Sequence, residues 1–265
     1  MKKAPTTARG VQASSAIIAQ YQKSLVKLIG EMHNSVLYWI KAVYGRREDE
    51  IAMDASPSRE IDDELRRLNT QWNKKFREYA RKHARWFGRS VNRDTTYRVL
   101  SSLKALGYVV AFTNTHDVNN AMQSIIAGNV NLIKSIPSQY FTDITTTIMQ
   151  GIQNGRDLGF ITDQIESRYH KTRDRAIVIA RDQTHKASVA ISERRFESLG
   201  ITDGIWVHTS GSKVPRDTHI KMNGQQYKIA EGLFDPAVKR LVKPASEVNC
   251  RCYFKPVIPG LGDNA

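Results

Sequence analysis

The sequence contains only two cysteines, Cys250 and Cys252, with one residue between them. So few, so close together, they exclude a disulfide-stapled secreted scaffold and point to a reducing compartment. No run of about twenty apolar residues occurs, so no helix is expected to span a membrane. The basic start Met1-Lys2-Lys3 has no apolar stretch of signal-peptide length behind it. The phosphate-cradling GxxxxGK(S/T) motif is missing, as are GxGxxG, HExxH and GxSxG. No carboxylate pair stands out as an acid/base couple, and the chain is expected not to be an enzyme.

Acidic residues are also scarce. There are 26 Asp and Glu against 40 Lys and Arg, a formal net charge of +14. Such a field gathers polyanions, nucleic acid first and acidic protein or anionic lipid next. The 40% apolar content is that of a folded chain, so this charge sits on a globular protein and not on a disordered one.

Residues 1–15 read as a loose polar arm. From Ile17 a helical period sets in through Tyr21, Leu25, Leu28, Met32, Leu37 and Ile40, and it should stop near Gly45. Ser56-Pro57-Ser58 reads as a turn with Ser58 as N-cap. Ile61, Leu65, Leu68, Trp72, Phe76, Tyr79, His83 and Trp86 then form one apolar stripe. The other faces carry Arg66, Arg67, Lys74, Lys75, Arg77, Arg81, Lys82 and Arg85. Arg66, Arg67, Lys74, Lys75, Arg81 and Lys82 are candidate DNA contacts, against the alternative of a solvated face. The aromatics, lying on the stripe, are expected in the core.

Residues 95–150 read as shorter pieces broken by Gly107, Gly128 and Pro137. Gly159 to Asp163 reads as a turn. A long helix is expected from an N-cap at Thr172 to Leu199, with Gly200 just past its end. Beyond Gly200, the segments 205–209, 226–229 and 252–257 read as short strands. The fold class is therefore α+β: a mostly helical N-terminal part, then a small α+β domain of one long helix and short antiparallel strands. The expected division is an arm at 1–15, a helical domain at 16–165, an α+β domain at 166–260 and a tail at 261–265.

The chemistry-bearing residues concentrate in that last domain: His208, Asp217, His219, Cys250 and Cys252. Two thiolates and one or two imidazoles can form a tetrahedral zinc site, though Cys-x-Cys is tighter than the usual spacing. On a strand the two sulfurs would share a face, with Arg251 projecting away. A disulfide would be strained at this spacing, since bridged Cα atoms normally lie about 5.5–6 Å apart. A Cys–His nucleophilic pair is a further reading. The preferred one is a metal-free structural clasp with His219 close to the cysteines, and no cofactor. If zinc binds, the ligands are His219, Cys250 and Cys252, with His208 or Asp217 fourth.

Three elements carry a family resemblance over roughly residues 173–258. They are the helix Ala176–Thr184 that runs on to Leu199-Gly200-Ile201 before Gly204-Ile205-Trp206-Val207; the stretch Arg216-Asp217-Thr218-His219 with Gly224; and Asn249-Cys250-Arg251-Cys252 followed by Pro256. In this order they resemble the phage Mu F-like head morphogenesis family, the minor head or minor capsid proteins. The chain departs from that pattern at Asp182-Gln183, where family members commonly carry Thr-Glu. It departs again in the Lys- and Arg-rich stretch between Gly224 and Pro244.

The resemblance implies a motif built on Arg181, Trp206, His219, Gly224, Asn249, Cys250 and Cys252. It implies a portal-associated minor head protein of a tailed bacteriophage, acting in head assembly and in DNA packaging or ejection. Its partners would be portal and capsid proteins and, without sequence specificity, packaged double-stranded DNA. Its place would be the virion, after assembly in the host cytoplasm. Two alternatives stay open. One is a nuclease or toxin-like enzyme using His208, His219 and Arg251. The other is a DNA-binding module resting on the basic helix alone.

Overall fold

The computed structural model describes residues 5–45, 57–113, 115–153, 158–210 and 214–259. Ser56 lies outside them, and the expected Ser58 cap rests on a side chain that is not described. Four long helices come first: α1 (Ser15–Gly45), α2 (Pro57–Lys104), α3 (His116–Gln153) and α4 (Leu158–Glu197). A small region follows, with β1 (Asp203–Val207), α5 (Asp217–Met222), β2 (Gln226–Lys228), β3 (Leu233–Asp235), β4 (Arg240–Val242) and β5 (Tyr253–Pro256). The class is α+β.

The chain folds as two compact units, each assembled from separated stretches. One takes the described residues within 20–85 and 127–179, the other those within 1–19, 86–126 and 180–265. Helix α4 runs unbroken through residue 166, where the sequence suggested a division.

The first of these units is helical throughout. The apolar face of α1 buries Tyr21, Leu25, Ile29, Met32, Val36 and Ile40, centred one residue away from the Leu28 and Leu37 of the sequence reading. The α2 stripe is buried at Ile61, Leu65, Leu68, Trp72 and Phe76, so these aromatics are core. Removing a buried ring such as Phe76 costs about 3–5 kcal/mol. Polar links join the helices across this core. Tyr79 of α2 donates to the Ser24 hydroxyl of α1 at 2.7 Å, and His33 of α1 lies between Tyr140 of α3 at 3.1 Å and Glu166 of α4 at 2.8 Å.

Several expected breaks are absent. Helix α3 passes through Gly128 and Pro137, because the spacing Ile133, Ile136, Tyr140, Ile144 and Ile148 keeps one buried face on both sides of the proline. An interior proline costs about 3 kcal/mol, and several buried side chains at about 1.5–3 kcal/mol each outweigh it. Gly159 to Asp163 are helical, since Ile161 and Ile165 bury successive turns of α4. Thr172 is no cap. It sits inside α4 and donates its hydroxyl to the Arg168 carbonyl at 2.9 Å, the mid-helix way of satisfying a threonine. Gly200 does stand just past the helix, at φ +76°.

In the second unit β1 is the centre of an antiparallel sheet ordered β2-β1-β5, with Trp206 opposite Phe254, while β3 and β4 form a separate hairpin. The core gathers Val189 and Phe196 of α4, Trp206, Tyr227, Ile229, Val242, both cysteines and Phe254. Part of the segment read as a loose arm is packed here. Ala8 donates to the Pro256 carbonyl at 3.0 Å, Ile258 donates to Thr6 at 2.9 Å, and Ala8 and Val11 are buried.

Candidate metal centre

The chain around the cysteines is not a strand, contrary to the sequence reading. Residues 247–249 form a turn, Asn249 adopts φ +64°, and β5 begins only at Tyr253. Asparagine is among the few side chains that tolerate this left-handed region. The turn is held by α4. Arg181 donates to the Asn249 side-chain oxygen at 2.8 Å, and Asp182 accepts the Asn249 backbone N–H at 2.7 Å. Arg216 donates to the Val248 carbonyl at 3.0 Å, and Thr209 to that of Arg251 at 2.9 Å.

This framework delivers both sulfurs to one histidine. Nδ1 of His219, on α5, lies 3.4 Å from Sγ of Cys250 and 3.8 Å from Sγ of Cys252. The three ligating atoms lie within 4.8 Å of one another, and all three residues are buried. His208, just past β1, brings its Nδ1 to 3.6 Å from Sγ of Cys252. Its backbone N–H donates to Asn223 at 2.9 Å, and the neighbouring Gly224 N–H donates to the Trp206 carbonyl at 2.8 Å. Trp206 stands edge-on to His219, with ring centroids 5.3 Å apart.

The other side of His219 faces a residue absent from the sequence reading. Its Nε2 lies 3.3 Å from Oδ2 of Asp235, a carboxylate with 0% exposure at the end of β3. Both atoms are buried and neither makes a hydrogen bond of good geometry among the described residues, which leaves this ion-pair contact as the one the structure shows for them. Oδ1 of Asp235 accepts the Ala237 N–H at 2.9 Å. Asp217, the carboxylate named from sequence, is exposed on the first turn of α5 and outside the cluster.

The electrostatics follow from these contacts. The Cys252 thiol facing it, and then His219, hold Cys250 well below the ordinary thiol range, against its burial. Cys252 is raised by its role as that donor and by burial. Contact with Cys250 raises His219, opposed by burial. The adjoining cleft, lined by His208, His219, Arg216 and both cysteines among others, measures about 20 Å³. That is room for a single water or ion.

The DNA-contact candidates lie elsewhere, on α2, and all six are exposed. Arg66 pairs with Asp62 at 2.6 Å and Arg67 with Glu64 at 2.5 Å, so much of their charge is already met. Lys75 sits 4.2 Å over the Trp72 ring.

Residues 142–255 match the family described as Phage Mu protein F like protein. The resemblance read from the three motifs thus holds, over a stretch beginning at residue 142 and not 173. The chain is also similar to an uncharacterized protein of Haemophilus influenzae, 32% identical over 145 residues. That alignment takes in 55% of this chain and 31% of the relative, so the chain spans about a third of the curated relative it matches. No solved structure matches.

Proposed function

We propose that this chain, Mu F-like over residues 142–255, is a minor head protein of a tailed bacteriophage. In this reading it is built into the virion during assembly in the host cytoplasm, at the portal, and acts in head assembly and in DNA packaging or delivery. The observation that carries it is the family match, over a segment whose motif residues Arg181, Trp206, His219, Asn249, Cys250 and Cys252 meet in one network. The role asks for structure and non-specific attraction to DNA, and both are supported. Between Leu65 and Arg85, α2 carries eight Lys and Arg against one acid, Glu78. Exposed side chains of that kind suit phosphate contacts without reading bases.

The nuclease reading gains no support from the geometry. His208, His219 and Arg251 do line one cleft, but it is small and His219 is buried. The test of the structural role is direct. Virions of the phage that encodes the chain, purified to homogeneity, should contain it, and the purified chain should co-sediment with the portal ring. Virions that lack the polypeptide would reject the virion role.

A further inference from the structure

The Cys-x-Cys spacing is tight for zinc, but the fold sets the distances between the ligating atoms. Ligand bonds of about 2.3 Å to sulfur and about 2.1 Å to nitrogen at tetrahedral angles place sulfur and nitrogen about 3.6 Å apart. His219 meets the two sulfurs at 3.4 and 3.8 Å, and His208 meets that of Cys252 at 3.6 Å. Three edges of the required polyhedron are therefore in place before any side chain moves. His208 stands outside the 4.8 Å grouping of the other three and would turn inward to complete the fourth position.

We propose that Cys250, Cys252 and His219, with His208 as fourth ligand, bind one Zn²⁺ as a closed structural centre, and that Asp235 orients His219 for it. His219 would ligate through Nδ1, leaving Nε2–H for the buried Asp235 carboxylate 3.3 Å away. A metal-bound histidine is regularly held by a carboxylate in this way, which fixes the tautomer and strengthens the ligand. Asp235, which already faces His219 in the cluster, would keep that place when the ion binds. Any proton left on the two sulfurs and on Nδ1 of His219 passes to solvent as the ion binds, and the two thiolates cancel its charge, so the four ligands enclose no net charge.

The same residues resemble a Cys–His–Asp nucleophilic arrangement, with Cys250, His219 and Asp235 in line. Access decides between the two. Cys250 is 4% exposed, Cys252 3% and His219 2%, so no substrate reaches the sulfur, whereas a single ion fits the cleft. The ion would join α5, the residue just past β1 and the Asn249–Cys252 segment.

The full-length chain, expressed and desalted without chelator, should carry one equivalent of zinc by elemental analysis. The cobalt-exchanged protein should show visible bands of tetrahedral coordination and a near-ultraviolet thiolate charge-transfer band. Cys250→Ser and Cys252→Ser should lose the ion. In case those variants do not fold, Asp235→Asn retains all four ligands, and chelator competition should show zinc affinity lowered about 10–100-fold. His208→Ala should weaken binding likewise, and an unchanged affinity would overturn the closed four-ligand site. Full-length protein that takes up no zinc from a stoichiometric excess, while still folded, would overturn the proposal. Virion incorporation is read separately, so either idea can fail alone.

Discussion

Oδ1 of Asp182 accepts the backbone N–H of Asn249 at 2.7 Å, and so ties the middle of α4 to the turn that carries Cys250. Its other oxygen pairs with Lys186 at 3.0 Å, and the side chain is only 8% exposed. A charged acceptor on a backbone donor is among the stronger single hydrogen bonds. Asp182→Ala should lower the unfolding free energy by about 1–3 kcal/mol in urea titrations, with Asp182→Asn recovering part of the loss. A change within about 0.5 kcal/mol, the ordinary range for surface substitutions, would show that the turn does not depend on this bond.

Gly232 lies in the turn before β3 at φ +92°, and a Cβ there would stand 2.3 Å from the Val242 carbonyl oxygen on β4. Two penalties add at Gly232→Ala: about 1–2 kcal/mol for the left-handed backbone and about 1–3 kcal/mol for the overlap. Gly200→Ala, also at positive φ but with nothing within 4 Å of its Cβ, should meet only the first. Denaturant unfolding of both variants compares them. Equal effects would mean that the β3–β4 hairpin relaxes without cost.

What was legible in the sequence follows from the length of each signal. The α2 stripe from Ile61 to Phe76 repeats often enough that its period and buried face could be read directly. Pro137 reads locally as a break, and only the burial of Ile133 and Tyr140 on either side overrides that preference. At the site, His219, Cys250 and Cys252 could be singled out by residue type alone, and the fold brings them together. Asp235 could not. It ends a three-residue strand whose neighbour Phe234 is exposed, and the facing strand exposes Leu241, so neither alternation nor apolar content marked the hairpin. The Asp182–Asn249 bond spans 67 residues, and no local pattern encodes such a pairing.

Acid should destabilise the helical unit through His83. Burial lowers its pKa from 6.5 to about 4, while in the unfolded chain it keeps the ordinary value. Below pH 6.5 the unfolded state therefore takes up a proton that the folded state refuses, and stability falls as the pH drops towards 4. The site's contribution between pH 7 and pH 4 is about 3 kcal/mol. Burial of Glu193, whose pKa is raised to about 7, has the opposite sign over part of this range, so the comparison must be between variants. His83→Phe should flatten the stability profile relative to wild type between pH 6.5 and 4. Parallel profiles would place the acid sensitivity elsewhere.

The proposed contact with packaged DNA turns on which charges of α2 are already met. Arg66 and Arg67 are engaged by Asp62 and Glu64, whereas Lys74, Lys75, Arg81 and Lys82 lie on a stretch whose one acid is Glu78. Each phosphate neutralised contributes about 0.9 to the slope of log affinity against log salt. Replacing Lys74, Lys75, Arg81 and Lys82 together with glutamine should therefore flatten the slope by about 3–4 on duplex DNA of any sequence. Arg66→Gln with Arg67→Gln should change it by clearly less than two contacts' worth, since their charge is shared with carboxylates. All these side chains are exposed, so the helix should survive, and far-ultraviolet circular dichroism checks that it does. The loss of Lys75 from the Trp72 ring should itself cost only about 0.5–1 kcal/mol of stability. An unaltered salt slope in the fourfold variant would remove this face of α2 from the DNA contact and leave the positive charge of the chain to act elsewhere.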